Sequence, residues 1–305
     1  MKENKDFEVI IIGGSYSGLS AGMSLGRALR KVLIIDSDMP CNRQTPHSHN
    51  FITQDGKTPT EIARVARVQV QAYDTVNFYE GQAVSAQKTD EGFEIRTHSG
   101  ESFTAKKLIF ATGLKDIIPD ISGFAECWGV SILHCPYCHG YEVRHKKTGI
   151  LANGDMGFHF VQLISNWTKN LMLFTNGKPT LNAEQTQIIR KNNIEIIDKA
   201  LISIEHQDKQ IQGVTFHDGS QIPLETMYAR PAFIQSSDIP EKLGCQLNEL
   251  GLLKVDNLQK TSVEGVYACG DNSSMRAVSV AVSTGTTAGA AVNNKLCEEE
   301  FLNNN

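Results

Sequence analysis

The stretch EVIIIGGSYSGLS, residues 8–20, decides the fold of this chain. It begins with an apolar, β-branched run, which is typical of a strand buried in a parallel sheet. A glycine-rich turn follows, and the pattern from Leu19 to Leu29 predicts a helix. A second apolar run, residues 32–35, ends in Asp36. Strand, glycine turn, helix, strand and acid in this order predict a domain that binds a dinucleotide.

Each part of this turn has an expected task. Gly13 permits the tight turn, Gly18 lets helix and strand pack closely, and the helix N-terminus offers N–H groups to a pyrophosphate. Asp36 is expected to accept hydrogen bonds from the ribose. Ser15 replaces the middle glycine of the usual pattern, which predicts a slightly looser approach of the backbone to the phosphates. The predicted contact residues are Gly13, Gly14, Ser15, Ser17, Gly18 and Asp36.

Composition limits the classes of protein that fit. The chain has 305 residues, of which 40% are hydrophobic and 21% charged, and its net charge is −5 with a pI near 6.0. The length suits two domains, and the acidic balance argues against a nucleic-acid partner. The apolar run at residues 9–12 is too short to cross a membrane, and the charged start, residues 1–7, lacks the core of an export signal. We therefore expect a cytoplasmic protein whose seven cysteines are free, catalytic or metal-binding.

The middle of the chain repeats one order of elements. Internal repetition of this kind indicates two similar structural units. We predict an α/β fold of two Rossmann-like, three-layer dinucleotide-binding domains, the second inserted into the first. The first comprises residues 1–112 and 232–305, and the insert comprises residues 113–231. The predicted strands of the first series are 76–79, 92–97, 101–105 and 107–111, and those of the second are 194–197, 212–217, 220–224 and 226–229.

The insert has a weakened dinucleotide turn of its own. The sequence ANGDMG, residues 152–157, follows a short strand, with Ala152 in place of the first glycine. An NADPH site normally carries arginines at the end of the next strand, and an NAD site carries an acid. The corresponding segment LMLFTNG, residues 171–177, has neither. NADPH use is therefore left open, with a structural remnant of the fold as the alternative.

The sequence CPYCHG, residues 135–140, places two thiols within disulfide reach if it opens a helix. A helix N-terminus and a nearby imidazolium lower a thiol pKa, and the thiolate is the form that attacks. His139 is suited to moving the proton of each thiol step. Haem attachment, a zinc site and purely structural cysteines are the alternatives, but no export signal and no second ligand pair supports the first two. The single cysteines Cys41, Cys127, Cys245, Cys269 and Cys297 fit incidental or buried thiols better.

The sequence GVYACGD, residues 265–271, predicts a strand ending in Gly-Asp, followed by a small-residue helix from about Arg276 to Asn294. This end of the chain resembles the flavin-binding end of the pyridine nucleotide-disulfide oxidoreductases. The resemblance implies that Asp271 bonds the ribityl chain of FAD and that Arg276, Ala277 and Val278 meet the flavin ring. FAD would then be held by both ends of the chain.

Over nearly its whole length the chain resembles the low-molecular-weight thioredoxin reductase family. Thioredoxin reductases proper usually carry an aspartate where this chain has His139. The turn, the 42–50 loop and CPYCHGYE resemble more closely a branch that includes the dithiol oxidases of gliotoxin and holomycin. The resemblance implies Cys138 near the flavin, Cys135 exchanging with substrate, and a homodimer. It also implies FAD contacts at Asn42, His49, Asn50, Val84, Ala111, Thr112, Gly113 and Gly270, with His49 near the ring.

These features predict an FAD enzyme that interconverts dithiol and disulfide. Its partner is either a thioredoxin-like protein, reduced at the expense of a nicotinamide or another donor, or a small dithiol, oxidised at the expense of oxygen. Two other hypotheses stay open. One is a redox-sensing flavoprotein without turnover, and the other is a nicotinamide-dependent flavin dehydrogenase in which the cysteines have no role.

Overall fold

The structure is a computed structural model that describes residues 5–303. Residues 1–4 and 304–305, which belong to the predicted first domain, lie outside the described part of the chain. The chain divides into two compact units. Unit 1 contains residues 1–43, 59–115 and 233–305, and unit 2 contains residues 44–58 and 116–232.

Unit 1 is built on a seven-stranded sheet in the order β3-β2-β1-β6-β5-β4, with β17 paired to β6. Strands β1, β2, β3, β6 and β17 run parallel, whereas β4 and β5 are antiparallel to their neighbours. The strands are β1 (Asp6–Ile12), β2 (Val32–Asp36), β3 (Val76–Glu80), β4 (Ala83–Thr89), β5 (Gly92–Thr97), β6 (Ser102–Phe110) and β17 (Val266–Ala268). The helices are α1 (Tyr16–Arg27), α2 (Pro59–Gln71), α7 (Ile239–Lys242) and α8 (Val278–Asn303).

Side chains of β1 alternate between two hydrophobic clusters because successive residues point to opposite faces of a sheet. Val9 and Ile11 pack with residues of α1, α2 and α8 on one face. Ile10 and Ile12 pack with β5, β6 and the segment around Ile239 on the other. Both faces of the strand are therefore covered, which explains its uninterrupted apolar run.

Some predicted elements of unit 1 differ from the structure, and the first helix, predicted from Leu19 to Leu29, spans Tyr16–Arg27. The predicted strands 101–105 and 107–111 are one continuous strand, β6, which runs through Lys106 between them. The side chain of Lys107 is buried, and its ammonium donates to Glu299 at 2.7 Å. The final helix begins at Val278 instead of Arg276 and runs to Asn303 instead of Asn294. Arg276 and Ala277 therefore lie in the loop before the helix.

Unit 2 has a parallel five-stranded sheet in the order β11-β10-β9-β15-β8 and an antiparallel three-stranded sheet, β12-β13-β14. The strands are β8 (Ile132–Leu133), β9 (Thr148–Leu151), β10 (Leu171–Phe174), β11 (Glu195–Ile197), β12 (Leu201–Gln207), β13 (Gln210–Phe216), β14 (Gln221–Pro223) and β15 (Thr226–Ala229). The helices are α3 (Phe124–Cys127), α4 (Pro136–His139), α5 (Gly154–Ile164) and α6 (Ala183–Lys191). Two short strands, β7 (Leu114–Asp116) and β16 (Phe233–Gln235), pair where the chain leaves and re-enters unit 1.

Segment 44–58 clusters with unit 2 although its sequence neighbours on both sides belong to unit 1. An internal turn holds the segment in shape: Ser48 donates its N–H to Lys57 and Gly56 donates to Ser48, at 2.7 and 2.9 Å. Asp55 accepts the N–H of Asn50 at 2.8 Å. Asn50 and Gly56 both have positive φ, as the tight turn requires. The segment thus presents His49 and Asp55 within unit 2.

Candidate active site

The glycine turn of unit 1 is packed too closely for any side chain at two positions. Gly13 has φ +106°, and a Cβ added there would lie 2.2 Å from the carbonyl oxygen of Ala111. A Cβ on Gly18 would lie 1.8 Å from the carbonyl oxygen of Gly13. The turn therefore lies directly against the carboxyl end of β6, as the predicted roles of both glycines require.

The N-terminus of α1 is available to an anion. Ser15 is its N-cap residue, but the Ser15 side chain makes no capping hydrogen bond, and the first turn contains no acidic residue. The first N–H groups of a helix have no intrahelical partner and carry positive partial charge. A pyrophosphate placed here would supply the missing acceptors.

Asp36 lies beside this turn at the carboxyl end of β2, because a Cβ on Gly14 would come within 2.7 Å of its carboxylate. A cavity of about 570 Å³ opens next to Asp36. It is lined by Asp36, Ser37, Tyr79, Gly81, Gln82 and His98, among others. A carboxylate between a phosphate-binding turn and a cavity of this size fits the ribose and base of an adenosine group.

Several of the other predicted residues of unit 1 lie near the same sheet edge. Asn272, next to Asp271, donates to the carbonyl of Phe110 at 2.9 Å and to Thr112 at 3.3 Å. The guanidinium of Arg276 lies 3.8 Å from the carboxylate of Asp271. Asn42 donates to the hydroxyl of Tyr16, in the first turn of α1, at 3.4 Å. Val84, by contrast, lies on β4, where its side chain is 40% exposed.

Close packing of α8 against α1 carries the final helix to this edge. A Cβ on Gly285 would lie 2.2 Å from the carbonyl oxygen of Ser17. Thr284 accepts the N–H of Gly270 at 3.0 Å, which ties the helix to the Gly-Asp turn. The described residues of unit 1 thus fit FAD: an open helix N-terminus for the pyrophosphate, Asp36 for the adenosine ribose, and the Asp271–Val278 segment for the flavin half.

The thiol pair lies in unit 2 on the short helix α4. Cys135 is its N-cap residue, and the N–H of Cys138 donates to the sulfur of Cys135 at 3.2 Å. Pro136 occupies the first helical position, where its fixed φ suits the helix and its missing N–H costs nothing. Both thiols are partly exposed. The predicted helix opening is confirmed, and it provides Cys135 with a donor that stabilises a thiolate.

Gly140 explains the glycine that ends the CPYCHG segment. A Cβ at this position would lie 2.3 Å from the carbonyl oxygen of Pro136 and 2.8 Å from the indole nitrogen of Trp167. The Trp167 ring also makes an edge-on contact with the exposed ring of Tyr137, with centroids 5.7 Å apart. Trp167 therefore supports the thiol helix, although sequence reasoning did not identify it.

A cluster of titratable side chains, Asp55, His49, Glu142 and His139, stands beside the thiols in unit 2. Nδ1 of His49 lies 3.5 Å from Asp55, and its Nε2 lies 3.6 Å from Glu142. The rings of His49 and His139 meet edge to face, with centroids 6.4 Å apart. Burial lowers the pKa of His139 and the neighbouring His49 lowers it further, whereas Glu142 opposes the change. His139 is therefore held as a neutral imidazole able to accept a proton.

Tyr228 is another residue near the thiols that the sequence analysis did not identify. It lies on β15 opposite Leu133 of β8, two residues before Cys135. The side chain is 1% exposed, and its hydroxyl has no hydrogen-bond partner among the described residues. Burial raises the pKa of Tyr228, and Cys135, Glu142 and Cys138 add to the rise. The phenol therefore stays protonated beside the thiol segment.

The dinucleotide turn of the insert is closed by its own side chains. Asn153 caps α5 by accepting the N–H of Gly154 at 2.8 Å. The same side chain accepts the N–H of Thr180 at 2.8 Å and donates to the carbonyl of Lys178 at 3.0 Å. Asp155 stands in the first turn of α5 and accepts from Gln185 at 2.7 Å. The N–H of Gly154, which a pyrophosphate would use, is therefore already bonded to Asn153. The carboxylate of Asp155 also places negative charge where the negative pyrophosphate would bind.

Three of the remaining cysteines have no reactive environment of this kind. Cys127, Cys245 and Cys269 are buried, and burial raises the pKa of each thiol, that of Cys269 to about 12. Within residues 5–303, no group of three His, Cys, Asp or Glu side chains could hold a metal ion. No helix in that range is both long and apolar enough to cross a membrane.

Comparison with known proteins gives consistent matches. A family model described as pyridine nucleotide-disulphide oxidoreductase matches residues 7–285. The thioredoxin reductase tcpT of Claviceps purpurea is 33% identical over 309 aligned positions, covering 97% of this chain and 96% of the relative. The crystal structure of an oxidoreductase from Agrobacterium tumefaciens is 35% identical, with a TM-score of 0.89 over 96% of this chain and 99% of that one. The crystal structure of HlmI is 28% identical, with a TM-score of 0.93 over 99% and 96% of the two chains.

Proposed function

Because the chain belongs to the pyridine nucleotide-disulphide oxidoreductase family, as a thioredoxin reductase-like FAD enzyme, we propose that it oxidises dithiols to disulfides through Cys135 and Cys138. The electrons would pass to FAD and then to molecular oxygen. The balanced reaction converts one dithiol and one O2 into one disulfide and one H2O2. A small-molecule dithiol is the proposed substrate class.

The difference between the two dinucleotide turns carries this proposal. In unit 1, the N-terminus of α1 has no side-chain cap and no acid in its first turn. In unit 2, Asn153 occupies the N-terminus of α5 and Asp155 places a carboxylate in its first turn. A dinucleotide binds through its pyrophosphate, so the first turn suits FAD and the second opposes NADPH. An enzyme that keeps its thiols and flavin without a nicotinamide site needs another electron acceptor or donor.

The chain's own residues perform the thiol chemistry. A substrate thiolate attacks the oxidised Cys135–Cys138 pair at Cys135, and its second thiol displaces Cys135 to close the product disulfide. This exchange leaves Cys135 and Cys138 reduced. His139, held neutral by burial, takes the proton that each attacking thiol must lose. FAD, when bound, supplies a two-electron acceptor that restores the disulfide of the pair.

The donor preference can be measured by anaerobic titration of the FAD-loaded protein with dithiothreitol, NADPH and NADH. We expect dithiothreitol to bleach the flavin absorbance within seconds. NADPH and NADH should leave the absorbance unchanged over the same time. In air, dithiothreitol consumption should then yield equimolar H2O2. Rapid bleaching by NADPH would contradict the closed second turn and would favour reduction of a thioredoxin-like partner, the activity that the name of the relative tcpT suggests.

Three further properties are proposed: a homodimer, from the family resemblance, and a cytoplasmic location and a functional insert bounded by residues 113–231, from the sequence. The compact unit that contains residues 116–232 supports the last of these. Size-exclusion chromatography with light scattering would test the dimer directly.

A further inference from the structure

The cluster of Asp55, His49, Glu142 and His139 contains more titratable groups than a single thiol base requires. His49 stands at its centre, with a carboxylate on each ring nitrogen, at 3.5 Å for Asp55 and 3.6 Å for Glu142. The side chains of the cluster also differ in solvent exposure, and the two carboxylates are more exposed than the His49 ring between them. The His49 side chain is 19% exposed, that of Glu142 is 41% exposed and that of Asp55 is 65% exposed. A path therefore leads from partly buried rings to carboxylates in water.

The geometry of segment 44–58 is specific to this arrangement. One carboxylate oxygen of Asp55 accepts the N–H of Asn50, and the other faces His49. The residue thus fixes both the turn and the orientation of the ring. His47, whose ring centroid lies 6.4 Å from that of His49, is held differently, through the carbonyl of Gly56 at 3.0 Å. His47 therefore serves as a control, because it is a histidine close to His49 whose ring is bonded to a backbone carbonyl instead of to Asp55 or Glu142.

We propose that His49, oriented by Asp55 and Glu142, relays protons between His139 and solvent. This inference rests on the proposed dithiol oxidation. Closing one disulfide removes two electrons, which pass to FAD and finally to O2, and two protons, which end in H2O2. A proton taken by His139 reaches the His49–Glu142 pair directly or through one bridging water and leaves past Glu142 or Asp55. The role proposed for His49 is that of a positioning and relay residue.

The two neighbours of His139 affect it in opposite senses, and this provides the test. His49 lowers the pKa of His139, and Glu142 raises it. The titratable groups that face these rings are His47 and Asp55, beside His49, and Glu142, which acts on both His49 and His139. Replacing His49 with a neutral residue removes one of the causes that lower the pKa of His139, so the acid limb of the pH–rate profile should move to higher pH. Replacing Glu142 with glutamine removes the cause that raises the pKa of His139, so the acid limb should move to lower pH.

The experiment is single-turnover flavin reduction by dithiothreitol, followed by stopped flow from about pH 5 to about pH 9. The FAD-loaded wild type is compared with His49→Gln, His49→Ala, Glu142→Gln and the control His47→Gln. We expect His49→Gln to be about tenfold to a hundredfold slower at neutral pH. The two acid-limb shifts should be opposite, imidazole should partly rescue His49→Ala, and the His47→Gln profile should match the wild type.

Three results would overturn the relay: an unchanged rate and profile in His49→Gln, shifts of equal sign in the His49 and Glu142 variants, or loss of FAD from His49→Gln. The last would assign His49 to the cofactor instead. If the wild-type flavin is not reduced by dithiols, the proposed function fails. The relay is then judged by NMR titration of the His139 ring. The pKa of His139 must rise in His49→Gln and fall in Glu142→Gln.

Discussion

Replacing Cys138 with serine is expected to slow flavin reduction by a dithiol roughly a thousandfold or more, with FAD still bound. A hydroxyl in place of the thiol cannot form the disulfide with Cys135 that passes electrons onward. Cys127, Cys245 and Cys269 are unsuited to take over, because they are buried with raised pKa values. Stopped-flow absorbance of the flavin under anaerobic conditions measures the effect.

The matched control is Cys297→Ser, since Cys297 is an exposed thiol on α8 whose sulfur accepts from Arg30 at 3.1 Å. This variant should reduce its flavin at the wild-type rate. Retention of activity in Cys138→Ser would support the hypothesis that the thiol pair has no role in turnover. A single, stoichiometric uptake of electrons by the wild type, with no catalytic rate, would support a redox sensor instead.

Replacing Gly18 with alanine is expected to abolish FAD retention and to destabilise the protein by more than about 4 kcal/mol. The added Cβ would lie 1.8 Å from the carbonyl oxygen of Gly13 and 3.3 Å from the Cβ of Ala111. Neither backbone segment can move aside, because Gly13 itself is confined by the carbonyl of Ala111. The turn that presents the first N–H groups of α1 would have to open.

Gly22→Ala, one turn later in the same helix, is the matched control. Its Cβ would meet the terminal methyl of Ile34 at 2.7 Å, the end of a flexible side chain that can change rotamer. We expect a change of no more than about 1–2 kcal/mol and full flavin content. Thermal unfolding and the ratio of flavin to protein absorbance measure both variants. Equal flavin content in the two variants would contradict the role assigned to the Gly13–Gly18 turn.

The parts of the fold that sequence could predict are those fixed by local pattern. The apolar runs of β1 and β2, the turn between β1 and α1, and the helix opening at Cys135 all depend on residues adjacent in the chain. Strand β4 was not predicted because most of its residues are exposed and it lacks an apolar pattern. The break predicted at Lys106 is wrong because β6 continues through this residue, and the charge of the next residue, the buried Lys107, is satisfied by Glu299, far along the chain.

The parts of the candidate site that sequence could not predict depend on distant contacts. Asp55 and Glu142 each lie beside a ring nitrogen of His49, although the two carboxylates are far apart in sequence. Asn153 closes its turn by bonding Thr180 and Lys178 in the loop after β10, which no local pattern indicates. The missing acid or arginine at residues 171–177 signalled a weak NADPH site, but the side chains that oppose it are visible only in the structure.

The central claim, two redox centres working in series, is tested most directly by counting electrons. Anaerobic titration of the oxidised, FAD-loaded protein with dithionite should consume four electrons per chain, since FAD and a disulfide each take two. The Cys135→Ser, Cys138→Ser double variant should consume two. Uptake of only two electrons by an air-oxidised wild type, with both thiols free before and after the titration, would contradict the claim.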